Sequence, residues 1–298
     1  MTPKICLGTA QFGLNYGVTN QSGKLSEKEI KLILLKCNNL GINFIDTAQA
    51  YGVSEIVIGR NMPKDNKFEI INKLEDQNIL NKESNPLNWE KSFQKSLKRL
   101  NKNSINSFLL HNPSNLVGAN KDLLLNWLIS LRERKLIKRI GVSIYEAQDL
   151  VNLPLKEIQV VQLPFSLYDQ RLLKDGTINK LYKSGIAIHA RSIFLQGLIL
   201  QNKKFWPDFI SNNLKKHHNK TTKAFSLNKI SMLEAAMGFA YKCSFIESFL
   251  VGVSSLIEFD KIITTWEDLQ SNKAYDLNYS IFSWNDKRDL DPRLWNKN

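Results

Sequence analysis

The chain is poor in cysteine and has no long apolar run. Its 298 residues include only three cysteines, Cys6, Cys37 and Cys243, which are far apart and lack the spacing of a metal site. This argues against a disulfide framework and favours a reduced, cytoplasmic location. No apolar run approaches the ~18 residues of a membrane span, and the N-terminus lacks the basic segment and apolar core of a signal peptide. We expect a soluble, unprocessed chain without a membrane partner or a bound metal.

The chain carries excess positive charge but no pattern typical of nucleic-acid binding. Lysine and arginine number 41 against 28 aspartates and glutamates, which gives a formal net charge of +13. The lysines are scattered along predicted helix faces, with short clusters such as 215–218, and aromatic residues are not interleaved with them. We therefore expect no nucleic-acid partner. A phosphorylated cofactor or an anionic substrate would still benefit from the charge.

Short apolar runs alternate with helical patterns along almost the whole chain. Ser26 and Glu29 have the spacing of a capping box before one helix, and Asn85-Pro86 opens another. Alternating strands and helices predict an α/β fold, the parallel (β/α)8 or TIM barrel, and one such barrel accounts for residues 1–298 as a single domain. A C-terminal tail from about 270 to 298 would pack on it. The predicted strands are 5–9, 42–46, 68–73, 105–110, 137–142, 158–163, 186–190 and 249–253.

Four chemically capable side chains follow three neighbouring strands of this predicted barrel. Asp46 ends the second strand and Tyr51 follows it, Lys73 ends the third, and His111 follows the fourth. The carboxyl ends of barrel strands meet at one rim, where active sites of such barrels lie. A single histidine of this kind is more often a packed core residue, but the four together indicate an active site.

These residues stand in motifs that resemble a known family. Asp-Thr-Ala-x-x-Tyr-Gly at 46–52, a strand ending in Lys73, and Leu-Leu-His-x-Pro at 109–113 are similar to the aldo-keto reductases. The resemblance extends from Ile5 to about Ile263. It implies a nicotinamide-dependent carbonyl reductase built on a (β/α)8 barrel, with a small-molecule carbonyl substrate.

The resemblance implies a separate chemical role for each of the four residues. Hydride transfer to a carbonyl leaves negative charge on its oxygen, so the site needs a proton donor, and Tyr51 is the candidate. A free phenol has a pKa of ~10, and we expect the Lys73 cation to favour its ionised form. Asp46 would keep Lys73 charged, and His111 would orient the carbonyl oxygen.

The resemblance also implies a cofactor site along the same rim. Ser143 and Gln162 match positions that bind the nicotinamide carboxamide, 191–197 matches the loop around the diphosphate, and 252–255 matches the adenosine-phosphate loop. Phosphate sites after the last two strands are common in such barrels. The full set of predicted cofactor residues is Gly8, Thr9, Asp46, Ser143, Gln162, Arg191, Ser192, Phe194, Leu195, Gly252, Ser254 and Glu258.

Two positions depart from the family pattern and leave the cofactor choice open. The asparagine that usually follows the strand-five serine is Ile144, and the basic residue that NADP-preferring members carry after strand eight is absent. Lys261 could instead reach a 2′-phosphate. NADP is therefore favoured, and NAD stays an alternative.

Other functions and the substrate also stay open. A regulatory protein that binds the cofactor on the same fold would retain the four residues, and a phosphate-handling aldolase or isomerase could use Lys73 as a Schiff base. The opening at 8–13 and the run at 191–198 resemble a bacterial branch associated with sugar and surface-polysaccharide metabolism, which suggests a sugar-derived carbonyl. Specificity would come from the loop 13–24, the polar stretch 200–226 and the aromatic tail with Tyr275, Tyr279, Phe282, Trp284 and Trp295.

Overall fold

Eight parallel strands close into a barrel in the order of the sequence. The computed structural model describes residues 2–76, 85–118, 120–271 and 277–295. Each strand pairs with its neighbours in the chain, and β1 pairs with β8 to close the barrel. The predicted (β/α)8 barrel is therefore confirmed. The strands are β1 Lys4–Gly8, β2 Phe44–Asp46, β3 Glu69–Leu74, β4 Ile105–Leu110, β5 Ile137–Ser143, β6 Val160–Pro164, β7 Ala187–Arg191 and β8 Ser248–Gly252.

Helices follow the strands and cover the outside of the barrel. The longer ones are amphipathic and bury one face against the strands, as α4 does with Trp89, Phe93 and Leu97. The helices are α1 Ala10–Gly13, α2 Glu27–Asn39, α3 Ser54–Asn61, α4 Pro86–Leu100, α5 Lys121–Glu133, α6 Arg171–Lys174, α7 Thr177–Lys183, α8 Asn212–Leu227, α9 Met232–Lys242, α10 Leu256–Gln270 and α11 Lys287–Leu290. Short 3-10 turns are Pro113–Leu116, Ala147–Leu150, Leu155–Glu157, Leu195–Leu200, Lys203–Phe205, Tyr279–Phe282 and Pro292–Leu294.

Local capping signals fix where several helices begin. Ser26 and Glu29 form the predicted capping box, because each side chain accepts a hydrogen bond from the backbone N–H of the other. Asn85 caps α4 by accepting from Asn88 N at 3.1 Å, one residue before Pro86. None of the helices in the described ranges combines the length and apolar character needed to cross a bilayer.

The barrel interior changes from apolar to polar toward the carboxyl ends of the strands. An apolar cluster inside contains Cys6, Phe44 and Ile71 from the first three strands. Side chains two residues apart on a strand face the same side. The next interior positions are therefore Gly8, Asp46 and Lys73. The alternation of side chains along the strands thus places the predicted Asp46 and Lys73 at the barrel mouth.

A separate polar network links β5 and β7 to the residue that precedes β8. Glu247 accepts from Arg139 Nη1 at 2.8 Å, and its Oε2 lies 2.6 Å from His189 Nε2. Burial lowers the pKa of His189, and Glu247 opposes that shift. We interpret His189 as a structural residue, because its Nε2 is engaged by Glu247 and it does not line the cavity described below.

The polar stretch 200–226 and the tail pack together beside the barrel. Most of the stretch is helix α8, whose N-cap Ser211 bonds to Asp289 of the tail through its N–H and hydroxyl. Tyr279, Phe282 and Trp295 are buried in the core. The described part of the tail therefore covers apolar surface. Tyr275 lies outside the described residues.

Candidate active site

A deep cavity opens at the carboxyl-terminal mouth of the barrel. Its volume is about 690 Å³, and its walls come from the ends of the strands and from the loops that follow β1, β7 and β8. Tyr51 and His111 line it where the chain leaves β2 and β4, and Ser254 and Lys261 line it at the end marked by β8 and α10. A cavity of this volume has room for a cofactor-sized ligand.

Asp46 and Lys73 form a buried ion pair at the floor of the cavity. Lys73 Nζ lies 2.5 Å from Asp46 Oδ1 and also donates to the carbonyl oxygen of Thr47 at 3.0 Å. Gln162 Nε2 donates to the other carboxylate oxygen of Asp46 at 2.7 Å. Both charged groups are thus held by directed hydrogen bonds, which offset part of the cost of removing them from water.

Tyr51 and His111 face each other above this ion pair. Their ring centroids are 6.0 Å apart and the planes are inclined at 81°. Lys73 Nζ lies 5.1 Å from the centroid of the Tyr51 ring. The structure therefore brings all four side chains, taken from three strand ends, to one wall of the cavity.

The electrostatics of Tyr51 differ from the expectation. We expected the Lys73 cation to favour the ionised phenol. Burial instead raises the pKa of Tyr51 above its usual range, the Asp46 carboxylate raises it further, and Arg191 opposes the rise. The reason is that Lys73 directs its ammonium group at Asp46. The phenol consequently stays protonated at neutral pH.

His111 is neutral at physiological pH. Burial lowers the pKa of His111 to about 4, and the positive charges of Lys73 and Arg191 contribute to the shift. A neutral imidazole carries one N–H and one bare nitrogen. It can therefore donate a hydrogen bond to a carbonyl oxygen without giving up a proton.

The loop that carries Tyr51 is held by close backbone packing. A side-chain Cβ at Gly13 would lie 1.8 Å from Tyr51 O, and Gly52 adopts a φ of +56°. Ser54 Oγ donates to Thr9 O at 3.0 Å, and Thr9 Oγ1 donates to Asp46 O at 2.8 Å. This network connects β1, β2 and the start of α3 and so fixes the position of the phenol.

Most of the predicted cofactor residues line the cavity, and Leu195 does not. The chain turns sharply after β7, with positive φ at Ser192, Leu195, Gln196 and Gly197, and the Leu195 side chain is buried in the core. We therefore do not retain Leu195 among the proposed cofactor contacts. The predicted cofactor residues that do line the cavity are Gly8, Thr9, Asp46, Ser143, Gln162, Arg191, Ser192, Phe194, Gly252, Ser254 and Glu258.

The far end of the cavity carries one acid and one base from the start of α10. Glu258 Oε2 accepts from Ser254 N at 2.7 Å and from Ser254 Oγ at 2.8 Å. Ser255 caps the helix by accepting from Glu258 N at 3.1 Å. Lys261, one turn further, also lines the cavity.

Several lining residues were not singled out individually in the sequence. They lie in loops, including the predicted loops 13–24 and 191–197, and on α1 and α9, where the sequence does not show which side chains face a cavity. Tyr145 follows β5, and two guanidinium groups lie over its ring. The guanidinium carbon of Arg191 is 4.0 Å from the ring centroid, and that of Arg293 is 3.7 Å from it. The additional lining residues include Gln11, Tyr16, Thr19, Tyr145, Gln196, Ser231, Met232 and Leu233.

Comparison with known structures identifies proteins of the same fold. A Pseudomonas aeruginosa protein described as an aldo-keto reductase has a TM-score of 0.65 over 89% of both chains, at 19% identity. A thermostable aldo-keto reductase solved with the inhibitor epalrestat has a TM-score of 0.67 over 94% of both chains, at 17% identity. At these identities the likeness shows the fold alone.

The sequence matches extend the likeness beyond the fold. An aldo-keto reductase of Mycolicibacterium vanbaalenii is 31% identical over 134 residues, which are 43% of this chain and 45% of that protein. The chain thus matches less than half of that relative's length. The model of the Aldo/keto reductase family matches residues 4–277, nearly all of the chain. The chain therefore belongs to the aldo/keto reductase family.

Proposed function

We propose that this protein reduces an aldehyde or ketone to an alcohol with a nicotinamide cofactor, and that Tyr51 donates the proton. The observation that carries the proposal is the meeting of Tyr51, His111 and the Lys73–Asp46 pair in the lining of one large cavity. A hydroxyl donor, a neutral hydrogen-bond donor and a fixed cation are the groups that a developing oxyanion requires.

The residues along the cavity fit a dinucleotide. Two glycines, Gly8 and Gly252, line it, and a Cβ at Gly252 would lie 3.0 Å from the Gln11 side-chain amide, so a side chain there would require Gln11 to shift. Ser143 and Gln162 would bind the carboxamide, loop 191–197 the diphosphate, and Ser254 the adenosine end. When bound, the cofactor supplies the hydride, and the protein supplies position and electrostatics.

The protein's own groups would then act on the carbonyl oxygen. His111 donates a hydrogen bond that orients the oxygen, and Tyr51 transfers its proton as negative charge develops there. Because burial and Asp46 keep the phenol protonated, the donor is present in the required state before the reaction starts. The Lys73 ammonium group is paired with Asp46, and this pairing reduces the repulsion between the Asp46 carboxylate and the negative charge left on Tyr51.

We propose that the protein binds NADPH slightly more tightly than NADH. The cation at the adenosine end is Lys261, which lines the cavity there and can attract a 2′-phosphate. The Glu258 carboxylate occupies the Ser254 N–H and hydroxyl, the donors that a phosphate would otherwise use, and it repels a phosphate. The two charges act in opposite directions, so the preference should be small.

The Schiff-base alternative receives less support from the geometry. Lys73 Nζ donates to Asp46 and to Thr47 O, and the side chain is only 1% exposed, so its nitrogen is not presented to a carbonyl. A purely regulatory cofactor-binding role predicts tight cofactor retention with slow turnover.

One assay distinguishes these functions. Cofactor absorbance at 340 nm is followed with a panel of aldehydes and ketones that includes sugar-derived carbonyls, and borohydride trapping of substrate on Lys73 is tested in parallel. Carbonyl-dependent cofactor oxidation supports the reductase. Trapping on Lys73 without cofactor oxidation would support the aldolase or isomerase alternative instead.

A further inference from the structure

The cavity contains a cation that the proposed proton transfer does not use. Arg191, the last residue of β7, lines the cavity. Its Nη2 donates to Ile144 O at 2.9 Å, and its Nη1 reaches Ser192 Oγ only at 3.5 Å. Its Nε is buried and has no hydrogen-bond partner within the described ranges. A buried donor without an acceptor costs free energy, so a bound acceptor here would be stabilising.

The acids of the described cavity wall are engaged elsewhere. Asp46 is bound to Lys73, and Glu258 is bound to Ser254 at the far end. Among the residues that the structure describes, no carboxylate forms an ion pair with the Arg191 guanidinium, whereas the nearby Arg293 pairs with Asp291 at 2.7 Å. Arg191 therefore brings a positive charge to the cavity that no described acid neutralises by direct contact.

This charge acts at the catalytic residues themselves. Arg191 opposes the rise that burial causes in the pKa of Tyr51, and it adds to the fall that burial causes in the pKa of His111. The ring of Tyr145, 4.0 Å from the guanidinium carbon, supports Arg191 from the β5 side. The cation is thus held in place near the groups that would bind the carbonyl.

We propose that Arg191 binds an anionic group of the substrate, so that the substrate class is carbonyl compounds with a carboxylate or phosphate close to the carbonyl. The proposal rests on the reductase function proposed above, and it leaves the diphosphate to the rest of loop 191–197. A guanidinium presents several N–H donors in a planar fork that matches the oxygens of either anion. Such a contact would give the Arg191 Nε an acceptor and orient the carbonyl toward Tyr51 and His111.

Matched pairs of substrates test this inference. Phenylglyoxylate is compared with its methyl ester, and glyceraldehyde 3-phosphate with glyceraldehyde, in the wild type, Arg191→Gln, Arg191→Lys and Arg293→Gln. We expect the wild type to prefer the charged member of at least one pair, and the pair that shows the preference identifies carboxylate or phosphate. Arg191→Gln should reduce that preference roughly 10- to 100-fold, mainly through KM, because a charge-assisted hydrogen bond is lost.

Two variants and a binding measurement control the experiment. Arg191→Lys should recover part of the preference, since it keeps the charge but loses the fork. Arg293 also lies over the Tyr145 ring but does not line the cavity. Arg293→Gln should therefore change the preference for the charged substrate by less than about twofold. Calorimetry of phenylacetate against phenylacetamide on cofactor-loaded protein gives the same comparison without turnover.

The contradicting outcomes are distinct. Equal loss on charged and uncharged substrates in Arg191→Gln, together with weaker cofactor binding, would assign Arg191 to the cofactor and overturn the inference. Carbonyl reduction by the wild type without preference for either anion would also overturn it while leaving the reductase function intact. If neither cofactor binds, the proposed function fails and the inference fails with it.

Discussion

Lys73 Nζ lies 2.5 Å from Asp46 Oδ1, and the two side chains are only 1% and 2% exposed. Burying two charges is costly, and an ion pair in such a place seldom adds net stability. The pair is tolerated because Gln162 and the Thr47 carbonyl complete its hydrogen bonds. We infer that this pair serves the chemistry of the site rather than the stability of the barrel.

Lys73→Met should destabilise the fold, because it leaves the Asp46 carboxylate buried and unpaired. We expect a loss of about 3–5 kcal/mol in the free energy of unfolding, measured by urea denaturation. The double variant Lys73→Met with Asp46→Asn removes both charges and should recover much of the loss. If the double variant is no more stable than Lys73→Met, the explanation by an unpaired charge is wrong.

Tyr51→Phe should abolish most of the turnover and leave cofactor binding intact. Loss of a general acid typically lowers the rate about 10²- to 10⁴-fold. The ring and its packing against His111 are retained, so the cofactor dissociation constant should change by less than about twofold. Steady-state kinetics and fluorescence titration of the same preparation measure both. Full activity of this variant on every substrate would refute Tyr51 as the proton donor.

The depressed pKa of His111 should appear in the pH dependence of stability. Burial, Lys73 and Arg191 lower it to about 4 in the folded chain, against ~6.5 in the unfolded chain. Between these values the unfolded chain binds a proton that the folded chain does not. The contribution of His111 to stability is therefore complete above pH ~6.5 and is lost as the pH falls toward about 4.

Denaturation at pH 7.5 and pH 5 in the wild type and in His111→Gln tests this sign. The wild type should lose more unfolding free energy on acidification than the variant, because the other titrating groups are common to both. Equal losses would mean that His111 titrates normally in the folded chain. An NMR titration of the imidazole gives an independent reading.

The barrel and the meeting of Asp46, Tyr51, Lys73 and His111 at its mouth were predictable because they depend on local signals. The ends of β2 and β3 are marked by an apolar run that stops at a charge, and the Ser26–Glu29 capping box is recognised from a spacing of three residues. Parallel pairing then brings the strand ends together. The predicted strand limits differ from the observed ones by at most two residues, and the largest differences are the starts of β2 at Phe44 and of β6 at Val160.

Features that depend on contacts between distant segments were not predictable. The shared Tyr145 ring of Arg191 and Arg293 joins residues from β7 and the tail, and the direction of the Leu195 side chain depends on an irregular turn. The effect of Lys73 on Tyr51 was misjudged because the sequence does not show that the ammonium points at Asp46. Spacing along the chain carries little information on such geometry.

We expect Asp289 to stabilise the packing of the C-terminal tail. It accepts from Ser211 N, from Ser211 Oγ and from Trp284 Nε1, so its loss leaves several donors unsatisfied. Asp289→Ala should cost about 1–3 kcal/mol of unfolding free energy, measured by thermal or urea denaturation. Arg288→Ala, whose side chain is 83% exposed on the same short helix α11, is the control and should cost less than about 0.5 kcal/mol. Similar costs for the two variants would contradict this role.

The opposing charges at the start of α10 should tune the cofactor preference in opposite directions. Lys261→Ala should weaken NADPH binding several-fold and leave NADH binding nearly unchanged, because only NADPH carries the 2′-phosphate. Glu258→Gln should strengthen NADPH binding, since it removes a negative charge next to the Ser254 donors. Dissociation constants from fluorescence titration measure both effects. Equal changes for the two cofactors in either variant would place the adenosine end elsewhere.

The most direct test of the proposed function is a fluorescence titration of the wild-type protein with NADPH and with NADH. We predict saturable binding of at least one of them at one site per chain, tighter for NADPH, followed by cofactor oxidation when a carbonyl substrate is added. Binding of neither cofactor would contradict the central claim that the cavity between Tyr51 and Lys261 holds a nicotinamide dinucleotide.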